Sequence, residues 1–191
     1  IRLAGPKSGQ YAQEMLDQIL QTKQYATQRG AAYGLAGIVK GRGISTLREF
    51  RVMPHLQDAA ENKKEPHQRQ GALLAYELFA MILGRTFEPY VIQVVPQLLA
   101  SFGDPNADVR DACLYTAKAC FSNLSSYGVK QILPTLLDGL DDTQWRSQKG
   151  ACDLLGAMAY LDPQQLAVSL PEIIPPLTVV LNDTHKEVRN A

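Results

Sequence analysis

Residues 148–156 read QKGACDLLG, a mostly apolar stretch with one glycine near its start and another at its end. Glycine-rich stretches of this kind can form a loop that holds a phosphate, or they can let two helices pack closely. An earlier stretch at residues 29–37, RGAAYGLAG, has the same character and is followed at once by KGRG. The two interpretations imply different functions, and the spacing of such stretches along the chain decides between them.

Small-residue pairs like the one in QKGACDLLG recur at nearly even intervals along the chain. They are Gly30-Ala31, Gly71-Ala72, Asp111-Ala112, Gly150-Ala151 and Asn190-Ala191. A long polar residue stands two positions before each alanine: Arg29, Gln70, Arg110, Lys149 and Arg189. The interval from one alanine to the next matches the repeat of about 40 residues that is typical of HEAT-type arrays, in which each unit is a pair of helices.

The third unit shows the predicted helix pair most clearly. Its first helix, EPYVIQVVPQLLASFG (residues 88–103), has apolar residues at helical spacing, and its second helix, VRDACLYTAKACF, follows the polar turn DPNAD. Prolines recur in apolar runs upstream of the repeat alanines, at Pro54, Pro96, Pro134, Pro175 and Pro176. Because proline interrupts helical hydrogen bonding, this recurrence predicts a bend in each first helix that curves the stack.

These patterns predict an all-α chain, a HEAT-repeat α-solenoid of about five helix-pair units in a right-handed superhelical stack. The units are expected at approximately 10–40, 44–84, 88–124, 126–161 and 164–191, as one continuous array whose last unit is truncated. No stretch alternates in polarity with period two, so no sheet is expected. The chain lacks an initiator methionine and stops within what resembles the first turn of a helix, so we expect a piece of a longer protein.

Charge is distributed unevenly along the chain although its net charge is zero. Residues 1–96 carry 12 Lys and Arg against 8 Asp and Glu, whereas residues 97–191 carry 7 against 11. Such asymmetry can orient a protein on an anionic partner. No apolar run approaches the length of a membrane-spanning helix, so no membrane span is expected. The three cysteines lack CxxC or Cys/His ligand spacing, which predicts buried thiols rather than zinc.

The sequence offers no catalytic, metal or cofactor site. The stretch GLAGIVKG (residues 34–41) lacks the Walker spacing and lies within a predicted helix, and GRGIS (residues 41–45) is interpreted as a helix end. The histidines His55, His67 and His185 fall in different units and share no carboxylate or cysteine neighbour. Trp145 begins a second helix, where packing is the expected role. We therefore expect a segment that is not an enzyme.

Two Asp/Arg pairs bracket turns between helices. Asp104 and Arg110 are six residues apart, and so are Asp183 and Arg189. In HEAT repeats such an Asp and Arg bond between neighbouring units as a ladder, so these residues are expected to be structural. The second unit, ENKKEPHQ, and the fourth, DDTQWR, depart from the pattern, so the ladder is expected to be incomplete.

The remaining basic residues are the candidates for binding a partner. One edge of the predicted array carries Lys40, Arg42, Arg85 and Lys130, the other edge carries Lys63, Lys64 and Lys186, and Lys149 is expected on the concave side. Phosphate contacts by such residues would be independent of base sequence and sensitive to salt. A solvated surface is the alternative for each of them.

Several stretches resemble one protein family closely. They are YATQRGAAYGLAGIVKGRGISTLREF, FEPYVIQVVP, YGVKQILPTLL, WRSQKGACDLLGAMAYLDPQQL and LNDTHKEVRNA. They resemble the HEAT-repeat translational activator of general amino-acid control, of the general control non-derepressible one type. The resemblance is to its middle region, which is also similar to the HEAT region of fungal elongation factor three. The sequences of these stretches are most similar to those of the fungal members of the family.

This resemblance implies a cytoplasmic, non-catalytic scaffold segment that binds ribosomes, through ribosomal RNA and ribosomal proteins. It also implies an ABC-type ATPase partner, and a kinase of initiation factor two that binds another region of the full protein. The full protein would activate that kinase during amino-acid starvation or ribosome stalling. Two alternatives stay open at this point: the HEAT region of fungal elongation factor three, and a generic HEAT adaptor for protein cargo.

Overall fold

The structure is a computed structural model that describes residues 7–141, 145–158, 163–180, 188 and 190. The described residues form α-helices and one 3-10 turn, Gly84–Phe87, and no strand occurs among them. The helices are α1 Lys7–Gln21, α2 Tyr25–Arg42, α3 Thr46–Glu49, α4 Val52–Ala60, α5 Pro66–Leu83, α6 Glu88–Phe102, α7 Ala107–Ser122, α8 Ser126–Leu140, α9 Trp145–Ala157 and α10 Pro163–Val180. The prediction of an all-α repeat of helix pairs is confirmed.

The helices divide into two compact units, Ile1–Phe87 and Glu88–Ala191. In the first unit, α1 pairs with α2, and α3 and α4 together pair with α5. Helix α5 packs against α1, α2 and α4, and every residue from 71 to 80 is buried. The core of this unit is therefore built around α5.

In the second unit, α6 pairs with α7, α8 pairs with α9, and α10 packs on α8. Helix α9 contacts α6, α7 and α8, so it has the position that α5 has in the first unit. Two polar caps fix the starts of these helices, because Asn106 accepts backbone hydrogen bonds at α7 and Ser125 accepts one at α8. Ser125 also joins two pairs, since its hydroxyl and its backbone N–H both donate to the carboxylate of Glu88 in α6.

The glycines of the repeat mark close helix contacts. A Cβ atom at Gly71 would lie 2.5 Å from the carbonyl oxygen of Ile19 in α1, and one at Gly150 would lie 2.6 Å from that of Leu99 in α6. In both cases the second helix of one pair meets the first helix of the preceding pair. At these two positions the close-packing interpretation of the glycine stretches is confirmed.

The first helix of the second pair is broken, although the sequence predicts one helix over residues 44–62. Arg51 lies between α3 and α4 with φ of 50° and ψ of 40°, the left-handed conformation that side chains rarely adopt. Pro54 follows in the first turn of α4, where its missing N–H costs no helical bond. The break therefore precedes the proline, whereas Pro96 and Pro134 lie inside α6 and α8.

One helical stretch of the described residues, Pro66–Phe102, is long and apolar enough to cross a membrane by length and composition alone. It contains α5, the 3-10 turn and α6. Core helices of globular proteins pass the same test, and 39% of the most apolar window of this stretch is buried in the described structure. The buried residues of α5 include the acidic Glu77. Packing in the core therefore accounts for the apolar composition of α5.

Candidate interaction surface

A polar side chain near the start of each second helix reaches back to a backbone carbonyl in the last turn of the preceding first helix or just after it. Gln28 donates to Ile19 at 3.1 Å, Arg69 to Asn62 at 2.8 Å, Arg110 to Asp104 at 2.6 Å and Gln148 to Leu140 at 3.3 Å. Ile19 and Leu140 lie in the last turn of α1 and α8, where carbonyls have no partner within the helix. Asn62 and Asp104 lie in the turns that follow α4 and α6. The four bonds hold the two helices of a pair at the turn.

Sequence reasoning found only Arg110 of these four residues. Gln28, Arg69 and Gln148 stand three positions before the repeat alanine, one position earlier than Arg110. A long polar residue three positions before the repeat alanine recurs in these three pairs, and this recurrence would have identified the three residues from the sequence.

The predicted ladder residues Asp104 and Arg110 are joined across one turn. Arg110 donates to the backbone carbonyl of Asp104, and the Asp104 side chain accepts from the backbone N–H of Asn106 at 2.8 Å. These contacts lie within one turn, and bonding between neighbouring units stays a prediction. Asp183 and Arg189 lie outside the described residues.

Arg42 is tied into the fold on several sides. Its guanidinium donates to the Ser8 hydroxyl at 2.5 Å and to Glu49 at 3.0 and 3.2 Å, and it lies 5.6 Å from the centre of the Phe50 ring. These contacts join α1, α2 and α3. Arg42 therefore has a structural role in addition to any role in binding.

Arg29 and Glu77 form an ion pair between α2 and α5, with 3.7 Å between their nearest atoms. Arg29 also lies between two exposed tyrosines, Tyr25 and Tyr33, and stacks over the ring of Tyr33. Burial raises the pKa of Glu77 above its ordinary value, against the opposing effect of Arg29. This charge pair therefore belongs to the packing of the two helices.

Five of the predicted binding residues are exposed and make no ion pair within the described part of the chain: Lys40, Lys63, Lys64, Arg85 and Lys130. Lys149 differs, because it pairs with Asp153 at 2.6 Å one turn along α9. Lys186 lies outside the described residues. The exposed cations are thus free to meet an anionic partner.

The exposed cations of the first unit lie on two of its edges. Lys63 and Lys64 precede the amino end of α5. Gln28 also donates to the carbonyl of His67 at 2.7 Å, so the amino ends of α2 and α5 lie together. Lys40 in the last turn of α2 and Arg85 in the turn after α5 therefore lie at the opposite edge. We call this pair the carboxyl-end cations.

The two compact units carry net charges of opposite sign. The first unit, Ile1–Phe87, contains 12 Lys and Arg against 7 Asp and Glu, and the second, Glu88–Ala191, contains 7 against 12. The net charges are therefore +5 and −5. An anionic partner is attracted to the first unit and repelled by the second.

The second unit holds the three cysteines, all of them buried and none of them in a disulfide bond. The Cys113 thiol donates to the carbonyl of Leu98 at 3.2 Å, and burial raises its pKa well above the ordinary value. The prediction of buried thiols is confirmed. Within the described ranges, no group of three or more His, Cys, Asp or Glu side chains could hold a metal ion.

The helix pairs repeat along the chain, pack on one another at glycines and are joined by hydrogen bonds across their turns. These features define a HEAT-type repeat protein. The chain belongs to the EF3 N-terminal HEAT repeat family, whose model matches residues 28–191. A designed armadillo repeat protein in complex with a (KR)4 peptide shares the fold, with a TM-score of 0.50 and 16% identity over 96% of this chain and 86% of that one.

Relatives at higher identity carry the name GCN1. The chain is 53% identical over 167 residues to the eIF-2-alpha kinase activator GCN1 of Dictyostelium discoideum, covering 87% of this chain and 6% of that protein. It is 49% identical over 184 residues to the human stalled ribosome sensor GCN1, covering 96% and 7%. Elongation factor 3 of Gonapodya prolifera is 31% identical over 166 residues, covering 86% and 15%. The chain thus spans only a small part of each relative.

The expected fungal character is not confirmed. The relatives named GCN1 come from an amoeba, mammals and a yeast, and a further relative, Protein ILITYHIA of Arabidopsis thaliana, comes from a plant. Identity to the human protein, 49%, is above that to the Saccharomyces cerevisiae protein, 44%. The stretches that resemble the family therefore do not assign the chain to fungi.

Proposed function

We propose that this chain is a non-catalytic scaffold segment of a GCN1-type protein, which binds ribosomes and activates the kinase of initiation factor two. The observation that carries the proposal is identity of 44–53% to GCN1-type proteins across most of the chain. Those relatives are named eIF-2-alpha kinase activators and stalled ribosome sensors. Identity to the elongation factor 3 proteins is lower, at 28–31%.

The chain acts in the cytoplasm, where its partners are the ribosome and an ABC-type ATPase. The kinase binds through another region of the full protein. Ribosomal RNA offers phosphates, and the free cations of the first unit suit them because phosphate contacts need charge and position rather than a base-specific pocket. The carboxyl-end cations, Lys40 and Arg85, are the principal contacts. Lys63, Lys64 and Lys130 are further candidates.

The test is cosedimentation of the chain with ribosomes at several salt concentrations. Exchange of the carboxyl-end cations for glutamate, as Lys40→Glu with Arg85→Glu, is expected to weaken binding at least tenfold at low salt. It should also flatten the dependence on salt, since fewer counterions are then released. Both residues are exposed, so the melting temperature should change little.

Lys63→Glu with Lys64→Glu is the matched control, because it reverses the same number of charges on the other edge of the same unit. A smaller loss of binding in this control is expected. If the two double variants bind like the unaltered chain at every salt concentration, ribosome binding through these cations is wrong.

A second candidate is the HEAT region of an elongation factor 3 protein, favoured by the family model that matches residues 28–191. The two candidates differ in what adjoins this segment in the complete protein. An ATPase domain in the same polypeptide would favour elongation factor 3, and a long array of further helix pairs would favour the GCN1 type.

A further inference from the structure

Helix α2 carries a row of three side chains that are aromatic, cationic and aromatic in turn. Tyr25, Arg29 and Tyr33 follow one another at intervals of four residues, so they lie on one side of the helix, with about 6 Å of helix axis between neighbours. Tyr25 and Tyr33 are 48% and 43% exposed, and the Arg29 side chain is 33% exposed. We call these three residues the tyrosine row.

Contacts within the fold hold the tyrosine row in one arrangement. The Arg29 guanidinium donates to the hydroxyls of Tyr25 at 3.4 Å and Tyr33 at 3.5 Å, and it lies 5.4 Å from the centre of the Tyr33 ring. Its ion pair with Glu77, which is buried in α5, fixes it from the side of the core. Side chains that are ordered in advance lose less entropy when a partner binds.

The α2 residues beside the row are small. Gly30 and Gly37 stand three residues before and four residues after Tyr33, where helix neighbours lie, and both are exposed. A Cβ atom at either glycine would meet nothing within 4 Å. Ala26, one turn before Gly30, is exposed as well. A flat group therefore has room to lie against the row.

The charge around the row is positive. Helix α2 contains Arg29, Lys40 and Arg42 and no acidic residue. Lys40 is exposed and stands seven residues, two helical turns, after Tyr33, so it lies on the same side of the helix. The first unit as a whole has a net charge of +5. An anionic partner with flat groups fits this surface.

We propose that the tyrosine row is a stacking platform for unpaired bases of RNA, with Lys40 in contact with a phosphate of the same strand. Bases stack on aromatic rings and on arginine planes, and stacking is tolerant of sequence because every base has a π face. The stacking role rests on the proposed ribosome binding and adds to it the kind of RNA contacted, which is single-stranded rather than double-helical. A protein partner fits less well, because the anchors of such an interface fill apolar pockets, and α2, described throughout, exposes no Leu, Ile, Val or Met.

The test compares a short fluorescein-labelled oligouridylate with an abasic oligonucleotide of the same length, each titrated with the chain and followed by fluorescence anisotropy. Tyr25→Leu with Tyr33→Leu keeps apolar bulk on the helix but removes the rings. This double variant is expected to bind oligouridylate more weakly by about tenfold or more, and to bind the abasic oligonucleotide as before. The salt dependence should not change, since no cation is removed. Arg29 is left in place, because its loss would leave Glu77 buried without its partner.

Tyr115→Leu with Tyr127→Leu is the matched control, because it removes two exposed tyrosines from the second unit, where Asp108 and Asp111 are also exposed. The control should bind oligouridylate like the unaltered chain, and both double variants should melt close to it. The proposal is overturned if the unaltered chain does not prefer oligouridylate to the abasic oligonucleotide, which includes binding neither. It is also overturned if the α2 double variant binds oligouridylate normally.

Cosedimentation with ribosomes separates this outcome from that of the proposed function. If the unaltered chain cosediments while the α2 double variant still binds oligouridylate normally, stacking is wrong and ribosome binding stands. A loss of cosedimentation in that variant, with normal oligouridylate binding, would assign the tyrosine row to a ribosomal protein instead. If the unaltered chain does not cosediment but its binding of oligouridylate requires the two tyrosines, stacking stands and ribosome binding is wrong.

Discussion

At the scale of the residue, Gly150 and Gly156 belong to the same nine-residue stretch but have opposite surroundings. A Cβ at Gly150 would meet the Leu99 carbonyl, whereas at Gly156 it would meet nothing within 4 Å. Backbone atoms cannot move aside as easily as a flexible side chain. The first glycine is therefore required by packing, and the second only weakens its helix.

Gly150→Ala is expected to destabilise the chain by about 1–3 kcal/mol, the usual effect of overpacking, reduced by the gain in helix propensity. Gly156→Ala should instead be stabilising, by up to about 1 kcal/mol. Urea unfolding followed by circular dichroism measures both free energies. If the two variants shift stability in the same direction, close approach is the wrong explanation for Gly150.

At the scale of the element, the repeat could be predicted because apolar spacing and small-residue pairs are local features of the sequence. The break between α3 and α4 could not, because Arg51 gives no local signal of a left-handed backbone. Proline suggested a bend, but Pro54 lies in the first turn of α4, where it is tolerated. The turn-spanning bonds of Gln28 and Arg69 were also missed, since they depend on where the two helices of a pair meet.

The strained backbone at Arg51 gives a second prediction about this element. Glycine adopts the left-handed conformation without steric cost, so Arg51→Gly is expected to raise stability by up to about 1 kcal/mol. Arg48→Gly is the matched control, because it removes the same exposed charge from within α3. Glycine inside a helix costs about 1 kcal/mol, so the control should be destabilised. Equal losses of stability in both variants would show that Arg51 is not strained.

At the scale of the whole molecule, the surface of exposed cations could be predicted only in part from the sequence. Charge asymmetry was visible, but a count of residues could not separate bound cations from free ones. Arg42 and Lys149 are engaged by Glu49 and Asp153, while Lys40 and Arg85 make no ion pair in the described residues. The partner of each cation depends on contacts along and between helices, which spacing alone does not determine.

The division of charge between the two compact units leads to a prediction about how the chain meets the ribosome. With net charges of +5 and −5, the first unit is attracted to RNA phosphates and the second is repelled, so RNA contacts should concentrate in residues 1–87. Crosslinking of the ribosome-bound chain to RNA, followed by mass spectrometry of the peptides, measures this distribution. Raising the salt should weaken crosslinks in the first unit most, because screening acts on exposed charges. A majority of RNA crosslinks in residues 88–191 would mean that shape or protein contacts, rather than net charge, orient the chain.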